Sequence, residues 1–244
     1  MNNRTRPKIN QGVYQHIYQR SFDGADIFTN SLDALFFITV FKKYSVIHKV
    51  NTIAFCLMDN HIHALCRSDN PSSLSSFIRD YSSVFVGGYN KFHNRRGRLF
   101  QTPFGSAPKK WGKKLRTCIT YINNNPVEAG KETYMEQYIW NLFAYSLSSS
   151  PFSDKIVLKR ASCRLRRSLS EVSAYAKTFQ ILFPRHLQCL MDKLSKEEKE
   201  QLRDYILKTY TPVDYSKIIS IFGSIDQAVL AMHSFMGNEY DIKM

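Results

Sequence analysis

Residues 52–58 (TIAFCLM) and 61–66 (HIHALC) are two apolar runs separated only by Asp59-Asn60. Two such runs around a two-residue Asx turn read as a tight β-hairpin, with both strands in the interior of a sheet. The hairpin constrains everything around it. Upstream, residues 13–21 alternate as a strand does. Asn30 or Ser31 can then cap a helix to about His48, with Leu32, Leu35, Phe36, Ile38, Phe41 and Val46 along its apolar face. Downstream, Pro71-Ser72-Ser73 opens a second helix through Leu74, Phe77, Ile78, Tyr81 and Phe85, expected to stop at Gly87-Gly88. Residues 99–106 form a further strand or an ordered loop, and residues 109–124 a third helix closed by Pro126 and Gly130.

The order β-α-β-β-α-β-α is a split β-α-β pattern. It predicts an α+β, ferredoxin-like antiparallel sheet with helices packed on one face. Leu147-Ser-Ser-Ser-Pro reads as a linker, dividing residues 1–147 from an all-α C-terminal extension, residues 148–244. In that extension Ser195 and Glu198 have capping-box spacing ahead of residues 202–210. Two short helices around Gly223 have the outline of a helix-turn-helix, a common arrangement and a weak signal.

Thirty-four basic residues against twenty acidic ones give a formal charge of +14, which favours a polyanionic partner, nucleic acid first. The charge is concentrated. Residues 91–116 hold nine Lys and Arg and no acid, interleaved with Phe92, Phe100, Phe104 and Trp111, and residues 155–167 hold six more. Positive charge with aromatic side chains suits phosphate neutralisation and base stacking. The N-terminus lacks the apolar stretch of a secretory signal, and residues 34–41 are too short to span a bilayer, so no membrane partner is expected. Five cysteines without a C-x-x-C pair point to a reducing cytoplasm and read as small buried hydrophobes.

On a strand, His61 and His63 project from the same face, so two imidazoles converge and, when neutral, can hold a divalent ion. Two ligands are rarely enough, and an isolated H-x-H is usually a pair of ordinary core or surface histidines. Tyr121 and Asn125 stand four apart near the end of the third helix. Tyrosine is a competent nucleophile and an Asn oxygen can complete a metal shell. On spacing alone, Tyr121 reads equally as a packing tyrosine and Asn125 as a helix stop, because the residue before a proline is biased out of helical geometry.

Together these segments resemble a known family. Met58-Asp-Asn-His-Ile-His63, then Gly97-Arg-Leu-Phe-Gln101, then Tyr121-Ile-Asn-Asn-Asn-Pro-Val-Glu-Ala-Gly130 are similar in order and spacing to the single-tyrosine HUH transposases, and above all to the branch of REP-associated tyrosine transposases. The resemblance spans about residues 10–147. It departs from many relatives at Asp59, where they carry proline, and residues 150–244 match nothing assignable. The resemblance implies an HUH endonuclease fold and a metal-dependent enzyme that cuts and rejoins single-stranded DNA at hairpin elements. Tyr121 would be the catalytic nucleophile of a 5′-phosphotyrosine intermediate. His61, His63 and Asn125 would hold Mg²⁺ or Mn²⁺. No nucleotide cofactor is implied, and neither a P-loop nor a G-x-G-x-x-G is present.

Arg95, Arg96, Arg98, Lys109, Lys110, Lys113 and Lys114 would contact the backbone of hairpin DNA, with Arg4 and Arg6 on an N-terminal arm and His93 as a further phosphate contact. The alternatives are a domesticated protein that binds DNA or RNA hairpins without cutting, and a nickase of the replication-initiator type. Either a monomer or a homodimer is compatible with the sequence. A prokaryotic cytoplasmic, nucleoid-associated location is expected.

Overall fold

The computed structural model describes residues 9–110 and 112–235. Four strands form one antiparallel sheet in the order β2-β3-β1-β4: β1 (Tyr14–Arg20), β2 (Asn51–Met58), β3 (His61–Arg67) and β4 (Gly105–Lys109). Helix α1 (Ser31–Ile47) carries the chain from β1 to β2, and β3 inserts between these parallel strands. That is the expected split β-α-β sheet. The hairpin turn is pinned from outside, because the Asp59 carbonyl accepts from Ile27 and Phe28 N–H. Asn30 caps α1, its Oδ1 accepting from Asp33 N–H at 3.0 Å.

The second helix, α2 (Pro71–Phe92), runs straight through Gly87-Gly88 rather than ending there. Gly88 is needed for packing. A Cβ on it would stand 2.4 Å from Phe36 Cζ, so only glycine lets α1 and α2 approach this closely. Against one face of the sheet these helices build an aromatic core. The Phe37 ring meets Phe28, Phe41, Phe55, Tyr81 and Phe85 at centroid distances of 5.0–6.4 Å.

Two boundaries differ from the sequence reading. The fourth strand is β4, and residues 99–104 are the ordered segment leading into it, with Gln101 N–H donating to the Arg20 carbonyl. Pro108 is tolerated because β4 is an edge strand. Helix α3 (Lys113–Glu128) therefore starts four residues late, and it continues through Pro126. Proline there forfeits one N–H within the last turn, and the chain closes with Ala129 N–H on the Asn125 carbonyl.

α3 also corrects the expectation of helices on one face only. It packs on the face opposite α1 and α2, because β2 and β3 bury both of their faces and the second needs a cover. The short helix α4 (Ala144–Leu147) then leads into α5 (Cys163–Lys177), α6 (Pro184–Met191), α7 (Lys196–Tyr210), α8 (Tyr215–Phe222) and α9 (Ile225–Phe235). The extension is helical as expected, and Ser195 and Glu198 form the reciprocal capping box.

These helices wrap the sheet domain. Leu182 N–H donates to Thr39 Oγ1 of α1 at 3.2 Å, and Asn124 Nδ2 of α3 donates to the Met232 carbonyl of α9 at 2.8 Å. Buried Asp204 ties down the connecting segment, accepting from Tyr145 Oη (2.8 Å), Phe152 N–H (2.9 Å) and Ser153 Oγ (3.0 Å). Cys56, Cys66 and Cys118 are buried hydrophobes as expected. Cys163 and Cys189 are exposed, since each projects from the outer side of an amphipathic helix. Among the described residues no single helix is long and apolar enough to cross a membrane; α8 and α9 reach that composition only together, bent by 75°.

Candidate active site

The α3 face of the sheet carries the chemistry. In the register of β3 against β1, His61 stands opposite Arg20 and His63 opposite Tyr18, so one sheet face presents His16, Tyr18 and Arg20 from β1 beside His61 and His63 from β3. The His61 and His63 rings lie 4.9 Å apart. α3 lays Tyr121 over His63 and His16, its ring edge-on to His63 at 5.9 Å and to His16 at 5.8 Å. Tyr121 is half-buried at this junction.

Because Asn125 lies inside α3, it does share a helix face with Tyr121, and the pre-proline bias is overcome. Its Nδ2 donates to the Tyr121 carbonyl at 2.8 Å, which leaves Oδ1 as the atom to offer a cation.

Burial dominates the electrostatics. It pushes the His16 and His61 rings down to about 4, with Lys109 adding to the effect at His16 and Arg20 at His61. Burial also holds His63 well below the usual histidine range, helped by His16, His61 and Arg20. All three rings are therefore neutral at pH 7, the form that binds metal. Tyr121 is shifted upward by burial and by Glu128, while the Asn125 amide and the Arg20 guanidinium favour its ionised form.

The donor set fits a divalent cation. Asn60 Nδ2 donates to the Gly24 carbonyl at 3.1 Å, so Asn60 Oδ1 faces His61 Nδ1 (2.7 Å) and must accept its proton. That leaves the Nε2 lone pair of His61 unprotonated and open. Ligating histidines are usually held by such a partner on the opposite nitrogen. Among the described residues no three His, Cys, Asp or Glu side chains cluster as a metal site, so a cation at the two imidazoles of β3 would need further ligands from elsewhere.

The basic residues separate into groups. Lys109 belongs to β4, beside Tyr14 in register, and its charge reaches His16. Lys113 and Lys114 are exposed in the first turn of α3. Lys110, Arg96 and Arg98 are exposed as well. Arg95 is engaged by the protein itself, donating to Asn90 Oδ1 (3.0 Å) and the Arg98 carbonyl (3.2 Å). His93 is likewise committed, bonded to buried Asp33 at 2.8 Å rather than turned toward a phosphate. Arg4 and Arg6 lie outside the described residues.

Sequence reasoning missed His16, Tyr18 and Arg20. The signal is present in part: the alternation of YQHIYQR puts His16, Tyr18 and Arg20 on one strand face, and only the register against β3 gives that face its neighbours.

A search of curated proteins finds no match to this chain. Among solved structures, a REP-associated tyrosine transposase bound to a REP hairpin superposes with a TM-score of 0.51, covering 66% of this chain and 95% of that one at 15% identity. At that identity the likeness establishes the α+β fold. By sequence, residues 9–125 match the family model of IS200-like transposases. That segment holds the whole sheet, both histidines of β3, Tyr121 and Asn125, and over it, just under half of its length, the chain is similar to the IS200-like transposases.

Proposed function

We propose that this protein nicks and rejoins single-stranded DNA at hairpin elements, with Tyr121 as the nucleophile. The observation that carries the reading is the packing of the half-buried Tyr121 ring within 6 Å of two neutral imidazoles, one of them His63. A scissile phosphate placed between them meets the phenol on one side and His61 and His63 on the other. Tyr121 Oη attacks phosphorus, the P–O3′ bond breaks, and the product is a 5′-phosphotyrosine with a free 3′-hydroxyl. The phenol loses its proton and the leaving 3′-oxygen gains one, so the step is proton-neutral. Attack by another 3′-hydroxyl reverses it and needs no nucleotide cofactor, because the phosphodiester energy is kept in the covalent link.

Arg20 and the Asn125 amide assist by favouring the phenolate against the upward push of burial. Mg²⁺ or Mn²⁺ held by His61, His63 and Asn125 would supply Lewis-acid polarisation of the phosphate. Lys113 and Lys114, on the helix that carries the nucleophile, together with Arg96, Arg98 and Lys110, would neutralise the DNA backbone. Residues 1–147 carry the chemistry in this reading, and the basic segment 155–167 gives the C-terminal helices an accessory DNA-binding role.

The test is incubation with single-stranded hairpin DNA and Mn²⁺ or Mg²⁺, followed by a denaturing gel. A covalent adduct is expected, absent in Tyr121→Phe and in His61→Ala. Tight hairpin binding without adduct under either ion would replace the enzyme with a non-cleaving DNA binder. Preference for the ribose version of the same hairpin would replace it with an RNA binder.

A further inference from the structure

His16 is 7% exposed, belongs to no motif, and its Nε2 lies 2.9 Å from Nδ1 of His63. Two buried neutral imidazoles sharing one hydrogen bond fix each other's tautomers, since one nitrogen must donate and the other accept. If His16 donated, His63 would carry its remaining proton on Nε2 and present a donor to the phosphate side. If His63 donates from Nδ1, its Nε2 keeps a lone pair facing the site, as Asn60 enforces for His61. Both histidines of β3 would then offer the same atom.

Resting on the proposed metal-assisted chemistry, we infer that His16 is a positioning residue: its Nε2 accepts the Nδ1 proton of His63 and locks that ring with Nε2 available as a ligand. The work is divided between two neighbours. Asn60, in the hairpin turn, orients His61, and His16, on the adjacent strand, orients His63. His16 is not itself in a three-residue metal cluster. It stands beside the site on β1, where it also supports the Tyr121 ring. Loss of His16 would let His63 rotate and change tautomer without removing any ligand.

The test begins on the metal-free, DNA-free protein. Nitrogen-15 histidine NMR at neutral pH should show His63 as the Nδ1–H tautomer in the wild type. His16→Ala should release it toward the Nε2–H form, and His16→Gln, whose Oε1 can accept at nearly the same place, should retain Nδ1–H. Mn²⁺ titration should then show roughly 10- to 100-fold weaker binding for His16→Ala, restored to within a few-fold by His16→Gln. An Nε2–H tautomer in the wild type overturns the inference, as does Mn²⁺ affinity in His16→Ala equal to wild type. If His16→Ala does not fold, the wild-type tautomer and His16→Gln still decide. His61→Ala keeps the two readings apart: unchanged Mn²⁺ binding in that variant sinks the metal site, whereas the tautomer measurement judges His16 on its own.

Discussion

The two faces of the central sheet follow opposite rules. Toward α1 and α2, β1 and β3 present Ile17, Ile62 and Ala64 to a stack of phenylalanines, and two glutamines share that face: Gln19, bonded to Tyr81 Oη and Ser82 Oγ, and Gln15, whose Oε1 accepts from Ser106 Oγ. Toward α3 the same strands present His16, Tyr18, Arg20, His61 and His63 to a tyrosine and an asparagine. Burial outweighs every charge partner of these histidines, Asp59 beside His61 included, which costs stability but leaves neutral nitrogens grouped in a low-dielectric space. One face holds the fold together and the other spends stability on an arrangement with chemical use. Substitutions on the two faces should separate activity from stability.

The largest effect is expected at the nucleophile. Tyr121→Phe removes one oxygen from a half-buried ring and should lower adduct formation by at least ~10⁴-fold, about 5 kcal/mol in barrier. Stability should shift by no more than about 0.5 kcal/mol. A variant that kept forming adduct would mean that another group attacks.

Phe37→Ala makes the converse change. It empties the centre of the opposite face, where five aromatic rings meet, and should cost about 4 kcal/mol in urea unfolding. Adduct formation per folded molecule should stay near wild type. A matching loss of activity in the folded fraction would show that the faces are coupled rather than separate.

Gly105→Ala probes the rim of the reactive face. Gly105 on β4 faces Tyr18, and a Cβ there would fall 1.8 Å from Tyr18 Cζ, so the ring has to leave. Displacing it should cost about 2 kcal/mol and weaken cleavage, because Tyr18 packs beside both His16 and His63. The double variant Gly105→Ala/Tyr18→Ala relieves the clash, so its stability should exceed that of Gly105→Ala alone. Additive losses in the double variant would rule out this account.

What the sequence disclosed follows the same division. The hairpin, the two covering helices and the strand order were legible because hydrophobic period and turn chemistry are local signals, and His61, His63 and Tyr121 stood inside recognisable runs. The third histidine was legible only in part: the alternation of YQHIYQR puts it on one face with Tyr18 and Arg20, but its meaning lies in strand register, and nothing in that run says which strand will lie beside it. The helical state of Asn125 was hidden for a related reason. Local preference before Pro126 opposes it, and packing of α3 between the sheet and α9 overrides that preference. Gly87-Gly88 read as a stop for want of the same information, since only the Phe36 ring on α1 explains why glycine is needed inside α2.

The smallest expected effect lies outside both buried faces. Lys114 is seven residues before Tyr121 on α3, two turns and roughly 10 Å along the helix, on the same side. If the DNA strand runs along α3 into the site, Lys114→Ala should weaken hairpin binding a few-fold at moderate salt. It should also reduce the slope of log affinity against log salt by about 0.7–0.9, the signature of one lost phosphate contact. Lys43→Ala, on α1 behind the opposite face, should leave that slope unchanged. Equal slopes for the two variants would mean that the strand approaches from elsewhere. Since nothing else on the surface of α3 is so strongly charged as its first turn, the path into the site would then have to cross β4, past Lys109 and Lys110, and the same titration on Lys110→Ala would find it.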